Sequence, residues 1–195
     1  MARITFRTML MACALALGSA AAAPAQAQVL ELAVDASPVG LDPHRATAFS
    51  TFQIINGTVY EGLTAIDKDL RVRPAVAESW TVSPDGKTYT FKLRAGMTFH
   101  NGAKVEAEDV VATIRRVLSK EIASPLASRV AAVESAEAAD PLTVVLKLKE
   151  PSAPLLVSIA TIAIVPRSME TEKEALQRAP IGTGPFRFKE WQPNS

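Results

Sequence analysis

Residues 77–116 read AESWTVSPDGKTYTFKLRAGMTFHNGAKVEAEDVVATIRR. Trp80 and Val82 alternate with polar neighbours before a turn, and Tyr89, Phe91 and Leu93 do the same after it. A two-residue period marks strands with one buried face. Ser83-Pro84-Asp85-Gly86 lies between them: proline presets its own φ, Asp bonds its local backbone, and Gly accepts a positive φ. Arg94-Ala95-Gly96 punctuates, residues 97–100 extend as a third short strand, and Asn101-Gly102 turns again. From Glu106 the apolar positions change period, and Val110, Ile114, Val117 and Leu118 take helical spacing. Glu106, Glu108 and Asp109 fall in the first turn of that helix, where its dipole favours anions, so they need no metal. Trp80, Phe91 and Phe99 read as core, and Arg115 and Arg116 as a solvated helix face.

Outward from this stretch, the chain alternates short strands and helices. Residues 29–35 alternate Leu30, Leu32 and Val34 with Glu31, Ala33 and Asp35, which predicts a strand. A loop follows at residues 37–43. Residues 51–60 place Phe52, Ile55 and Val59 on one helical face, with Gly62 as the left-handed residue after the helix. Residues 63–66 form a short strand, and Lys68-Asp69 turns. Beyond the long helix, strands are expected at residues 130–135 and 143–149 around a turn at Asp140-Pro141. In the second, Val144, Leu146 and Leu148 face inward and Lys147 and Lys149 outward. Pro151 to Pro154 start a helix, residues 163–165 a strand, and residues 170–178 a short helix. No internal repeat is present.

The 195 residues carry 21 basic and 20 acidic side chains. Residues 1–27 read as a secretory signal peptide: Arg3 and Arg7 form a positive end, residues 9–23 an apolar run, and Ala25-Gln26-Ala27 a cleavage site before Gln28. Removing Arg3 and Arg7 from the 21 basic residues leaves 19 against 20 acidic ones. That balance carries no nucleic-acid footprint. Cys13 is the single cysteine and lies in the leader, so the mature chain has no disulfide and no thiolate metal site. Lipoprotein processing at Cys13 is the alternative, but Met11 fits that site poorly. A second apolar run, residues 155–165, is too short to span a bilayer and reads as core.

Enzymatic chemistry finds little support. His44 and His100 are far apart, and no metalloprotease helix, nucleophile elbow or phosphate loop is present. His44 reads as an exposed loop residue, and His100 as a histidine bonded to local backbone. Gly182-Thr183-Gly184 precedes a strand rather than a helix, so it reads as a crossover where small residues let two backbones approach. Asn56-Gly57-Thr58 matches a glycosylation sequon. Trp191 stands near the end of the sequence with no context to place it.

The patterns Glu78-Ser79-Trp80, Ser83-x-Asp85-Gly86-x-x-Tyr89-Thr90-Phe91, Leu93-Arg94-x-Gly96, Phe99-His100-x-Gly102 and Ala107-x-Asp109-Val110 occur at fixed spacing. Tyr60-Glu61-Gly62-Leu63 and Gly182-Thr183-Gly184-Pro185-Phe186 add to them. Together they resemble the family 5 extracellular solute-binding proteins, the peptide- and nickel-binding receptors of ATP-binding-cassette importers. The resemblance implies an α/β, two-lobed periplasmic fold with an extra small α+β domain, of which this sequence holds the N-terminal portion. Residues 28–62 would begin the first lobe, 63–179 form the small domain, and 180–195 return to the first lobe. It implies capture of a peptide-like or other small solute, with permease and ATPase subunits as partners and no cofactor. Candidate ligand contacts are Ser37, Pro38 and Val39 in the first loop and Thr47, Phe49 and Ser50 in the next segment. A secreted hydrolase, or a truncated fragment without transport function, are the competing readings.

Overall fold

The computed structural model describes Glu31 and residues 37–192. Apart from Glu31, the expected strand at residues 29–35 lies outside the described residues, as do the leader and Cys13. The chain divides into Met1–Ala33 and Val34–Ser195. Only Glu31 is described in the first unit, and every element below lies in the second.

Four antiparallel strands form the main sheet, in the order β3-β4-β6-β5. They are β3 (Ala77–Val82), β4 (Thr88–Leu93), β5 (Val133–Asp140) and β6 (Thr143–Leu148). The β3–β4 hairpin turns where the sequence placed it. Gly86 takes φ +70°, its N–H reaches the Ser83 carbonyl, and Asp85 accepts from the Ser83 hydroxyl and the Lys87 N–H. Central strands β4 and β6 keep a clean two-residue period. Tyr89, Phe91, Leu93, Val144, Leu146 and Leu148 are all buried, and Phe91 pairs with Val144. Opposite them lies α2 (Ala107–Leu118), which buries Val110, Ile114 and Val117 in the same core. Its first turn is closed by a capping box between Glu106 and Asp109.

Edge strand β3 departs from its expected pattern. Trp80 is half-buried against Phe91, with ring centroids 6.4 Å apart, and Val82 is 44 % exposed. The cause is coverage: α2 packs on the β5–β6 half of the sheet, away from edge strand β3. The expected third strand at residues 97–100 is a tight loop instead, with one bridge between Thr98 and Lys104. Its last backbone N–H, from His100, goes to the Gly182 carbonyl and not to a sheet.

A two-stranded ribbon pairs β1 (Thr64–Ile66) with β2 (Val72–Pro74). Strand β2 went unpredicted because Val72 is its one apolar side chain apart from proline. Helix α1 (Phe49–Ile55) begins and ends earlier than its apolar spacing suggested. Gly57, at φ +76°, turns the chain there, and Gly62 is not its cap. A Cβ on Gly62 would stand 2.6 Å from the Ile159 carbonyl oxygen, so that glycine serves close packing. Further on, α3 (Leu155–Ile159) starts after Pro154 as expected, whereas α4 (Ala175–Arg178) is a single turn. A 3-10 turn, Ala127–Val130, replaces the start of the strand expected at residue 130. Residues 163–165 are extended without a ladder, since Ile164 donates to the Glu61 carbonyl and Val165 to the Thr113 hydroxyl.

The core has two parts. The larger joins the sheet, α2, α3 and Leu63; the smaller gathers Leu41, Ile55, Val59, Tyr60, Ala163, Val165 and Leu176. Because Phe91 is fully enclosed and Val82 is not, their truncations should separate cleanly. Phe91→Ala is expected to lower unfolding free energy by about 3–5 kcal/mol. Val82→Ala is expected to stay within about 0.5 kcal/mol, as surface changes do. Urea unfolding followed by far-UV circular dichroism checks both, and equal losses would contradict this layering.

Candidate functional site

The loop expected to meet ligand is fixed from beneath by a buried charged cluster. Arg116, in the last turn of α2, is fully buried, as are Asp42 and His44. The guanidinium donates from Nη2 to Asp42 Oδ2 at 2.7 Å and to the Glu172 carbonyl at 2.7 Å. Nη1 donates to Asp42 Oδ1 at 3.3 Å and to His44 Nδ1 at 2.9 Å, and Nε to the Met169 carbonyl at 2.8 Å. Those are as many acceptors as a guanidinium has N–H groups, and its planar fork suits them as an ammonium would not. Residues 42–44 are held from the other side too. Asp42 Oδ1 accepts the His44 N–H at 2.9 Å, and the Ser124 hydroxyl donates to the His44 carbonyl.

Two expectations are corrected here: Arg116 is not solvated, and His44 is not exposed. The doublet Arg115-Arg116 reads as a charged face, yet only Arg115 stands outside, near Glu108 and Glu170. The available signal was Thr113, one turn before Arg116 on the same face and likewise fully buried. Because Nδ1 of His44 accepts from Arg116, Nε2 carries the proton and donates to the Ala163 carbonyl at 2.8 Å. Burial, and then the Arg116 charge, push this imidazole down from 6.5 to about 4. Tyr60 lies close enough to feel the Asp42 charge. Burial, and secondarily that charge, raise its hydroxyl well above the usual tyrosine range.

A second junction joins the loop at residues 97–105 to the glycine-rich crossover. His100 donates from Nε2 to the Gly184 carbonyl at 2.8 Å, and its Nδ1 accepts the Gly182 N–H at 3.4 Å. The backbone role expected of His100 is present, but with partners more than eighty residues away. A Cβ on Gly182 or Gly184 would run into the carbonyl oxygens of Val59 and Thr58. In return, Gly184 and Phe186 donate their N–H groups to Val59 and Thr58 at 3.0 Å.

Two concave surfaces flank the loop. Val39, 77 % exposed, lines an open cleft of about 710 Å³ with Arg45, Gln177 and Trp191. Arg45 is paired there with Glu174 at 3.1 Å. The other candidates diverge: Ser37 and Thr47 are exposed, Pro38 is half-buried, and Ser50 is buried. Phe49, 73 % exposed, opens α1, and α1 leads into a second groove of about 460 Å³. Phe52, Asn56, Glu61, Ile66 and Thr161 are among the residues lining it. Sequence reading missed this groove, because its residues come from α1, β1 and the end of α3. Among the described residues, no group of three or more His, Cys, Asp or Glu side chains is placed to hold a metal ion.

The cluster generates two expectations. Arg116→Met leaves Asp42 as an uncompensated buried charge and should cost about 3–5 kcal/mol of stability. A loss within about 0.5 kcal/mol in chemical denaturation would refute the cluster. For His44, the folded value lies below the unfolded one, so the unfolded chain binds more protons between them. Its contribution is therefore complete above pH 6.5 and lost as pH falls through about 4. Stability should drop by roughly 3 kcal/mol across that window. The exposed carboxyls held low by their partners, Asp67, Asp85 and Asp140, titrate below it. His44→Gln should flatten the slope between pH 4 and 6.5, and an unchanged slope would count against a buried neutral imidazole.

Residues 71–195 match the family described as bacterial extracellular solute-binding proteins, family 5 Middle. The glutathione-binding protein GsiB of Salmonella paratyphi A is 33 % identical over 185 residues, covering 93 % of this chain and 36 % of that protein. The binding protein AgaA of A. tumefaciens, solved with agropinic acid, superposes with a TM-score of 0.75 at 31 % identity, over 80 % of this chain and 32 % of its own. Haemophilus influenzae OppA, solved with the peptide RPPGFSPFR, gives 0.75 at 26 % identity, over 82 % of this chain and 35 % of its own. The chain thus spans about a third of the length of these relatives, whose fold is the two-lobed periplasmic one. It belongs to family 5 of the bacterial extracellular solute-binding proteins.

Proposed function

We propose that this chain is the substrate-binding component of an ATP-binding-cassette importer, and that its described residues form one wall of the solute cleft. The observation that carries the reading is the groove beside α1, in a member of a solute-binding family. Its floor is apolar at Phe52 and Ile66. Asn56 faces it with a carboxamide that has no hydrogen-bond partner among the described residues, leaving a donor and an acceptor for an extended chain. The cleft at Val39 is the weaker choice, since Arg45 already satisfies Glu174 and the Lys173 carbonyl. Relatives named or solved with glutathione and with a nonapeptide favour a peptide-like solute.

In this reading residues 28–62 and 180–195 belong to the first lobe, and 63–179 to the small domain. The smaller core supports the pairing of the first and last segments, because Ile181, Phe188 and Trp191 pack against Leu41, Ile55, Val59 and Tyr60, and Ala163, Val165 and Leu176 share that core from within residues 63–179. Lobe closure traps the solute and permease subunits receive it, with ATP hydrolysed on separate chains. Residues 1–27 direct export to the periplasm and are removed. Among the described residues no helix is long and apolar enough to cross a membrane.

Calorimetric titration of the purified chain with glutathione and trialanine tests the proposal. At least one should give saturable heat, with Kd below about 1 mM. Asn56→Ala should weaken it up to about tenfold, the worth of one hydrogen bond. No saturable heat from either peptide would sink the proposal.

A further inference from the structure

Beneath the segment that leads into α1, His44 makes a buried contact that a proton breaks. We infer that His44 is an acid-sensitive latch: the neutral imidazole holds residues 43–48 in place beside the groove, and its protonation frees them and lets the solute go. The latch belongs to the fold, and only the release of solute rests on the proposed binding role.

The imidazole is fully buried between two partners from distant parts of the chain. Nδ1 accepts from Arg116 Nη1 at 2.9 Å, and Nε2 donates to the Ala163 carbonyl at 2.8 Å. This pair of bonds suits only the neutral ring, which has one donor and one acceptor. An imidazolium donates from both nitrogens, so an N–H would face an N–H, and a positive charge a positive charge, at 2.9 Å. The charged groups acting on His44 are Arg116 from α2 and Asp42 from its own loop. Asp42 is already committed to Arg116 through both oxygens, and its Oδ1 also accepts the His44 N–H. The other elements around the ring offer neutral groups: the Ala163 carbonyl, and the Ser124 hydroxyl bonded to the His44 carbonyl. Arg45, next in sequence, pairs with Glu174, and Tyr60 keeps its proton because burial raises its hydroxyl. An imidazole that leaves this site for water binds a proton about 300-fold more tightly, the ratio implied by 6.5 against about 4. Acid therefore favours the open arrangement, and neutral pH the closed one.

Both ends of the latch reach the groove. Residues 45–48 run directly into α1, whose Phe52 and Asn56 line it. That helix start has no side-chain cap at Ala48, so its position depends on what precedes it. On the other side, Ala163 stands two residues after Thr161, which lines the groove as well. The next N–H, from Ile164, goes to the carbonyl of Glu61, another lining residue. Pro43, Ala46 and Ala163 also share a small cavity of about 20 Å³ with Phe52, Asn56 and Thr161.

Hydrogen exchange of the purified chain at pH 7 and pH 4.5, corrected for the intrinsic rate at each, tests the latch. The amides of Arg45, Ala46 and Ile164 should be less protected than those of β4 and β6 at both pH values. Their protection should fall about fiftyfold at the lower pH, the size that 6.5 and about 4 set. His44→Gln keeps an acceptor and a donor and takes no proton, so its protection should not fall. Trialanine changes charge little across this range. It should bind the wild-type chain more weakly at pH 4.5, by at least about twofold and at most the same fiftyfold, and His44→Gln equally at both. Amides of the segment as protected as β4 and β6 would mean that it opens only with the whole chain, which overturns the latch. A pH-dependent loss that persists in His44→Gln overturns it too. If the glutamine variant does not fold, nuclear magnetic resonance of the wild-type imidazole decides. Protonation of His44 together with exposure of Arg45 and Ala46 supports the latch, and protonation while they stay protected overturns it. Equal trialanine affinity at both pH values overturns solute release by this route. A working latch with no binding of trialanine or glutathione at pH 7 overturns the solute-binding role and leaves the latch standing.

Discussion

A guanidinium carries a fixed positive charge and a set of N–H groups whose directions cannot be adjusted. Arg116 is buried with every one of them committed: two to Asp42, one to His44, and two to carbonyls of residues 169 and 172. Such a group fits only one arrangement of its surroundings, because any displaced acceptor leaves an unmet donor in a dry interior. Three separate stretches of chain therefore share one geometry. The candidate ligand segments on either side of residues 42–44 inherit it, although neither touches the arginine.

The hairpin was legible from sequence because its physics is local. Alternation at Tyr89, Phe91 and Leu93, and a turn that only Gly86 closes without strain, needed no knowledge of the rest. The long helix was legible for the same reason. What could not be read was which neighbours each element would meet. Val82 keeps the strand period but lies beyond the reach of α2, and Arg116 follows an evidently solvated Arg115. His44 sits in a polar, proline-marked loop, and its burial depends on Arg116 and Ala163, far along the chain. The helix at residues 51–60 failed on a local detail, since Gly57 ends it before its apolar spacing does.

The site shows the same division. Motifs at fixed spacing pointed to the family, and through it to two short segments, which the structure sets apart. Val39 faces one cleft, while the segment at residues 47–50 leads into the helix that borders another. That second groove combines Phe52, Glu61, Ile66 and Thr161, and no periodicity links them. Its chemistry became visible only when hydrogen-bond partners could be assigned around it.

The spans closed by these junctions bear on the order in which the molecule assembles. The β3–β4 and β5–β6 hairpins join residues near in sequence and the β4–β6 pairing spans 51 to 59 positions, whereas Arg116 reaches back 74 positions and the Glu61–Thr183 bond spans 122. Closing a long loop has an entropic cost that grows with its length, so the sheet and its helix can form before either junction does. The crossover and the ligand-loop base are then the last parts to close and the first to reopen. In native-state hydrogen exchange they should therefore form a separate cooperative unit, less protected than β4 and β6.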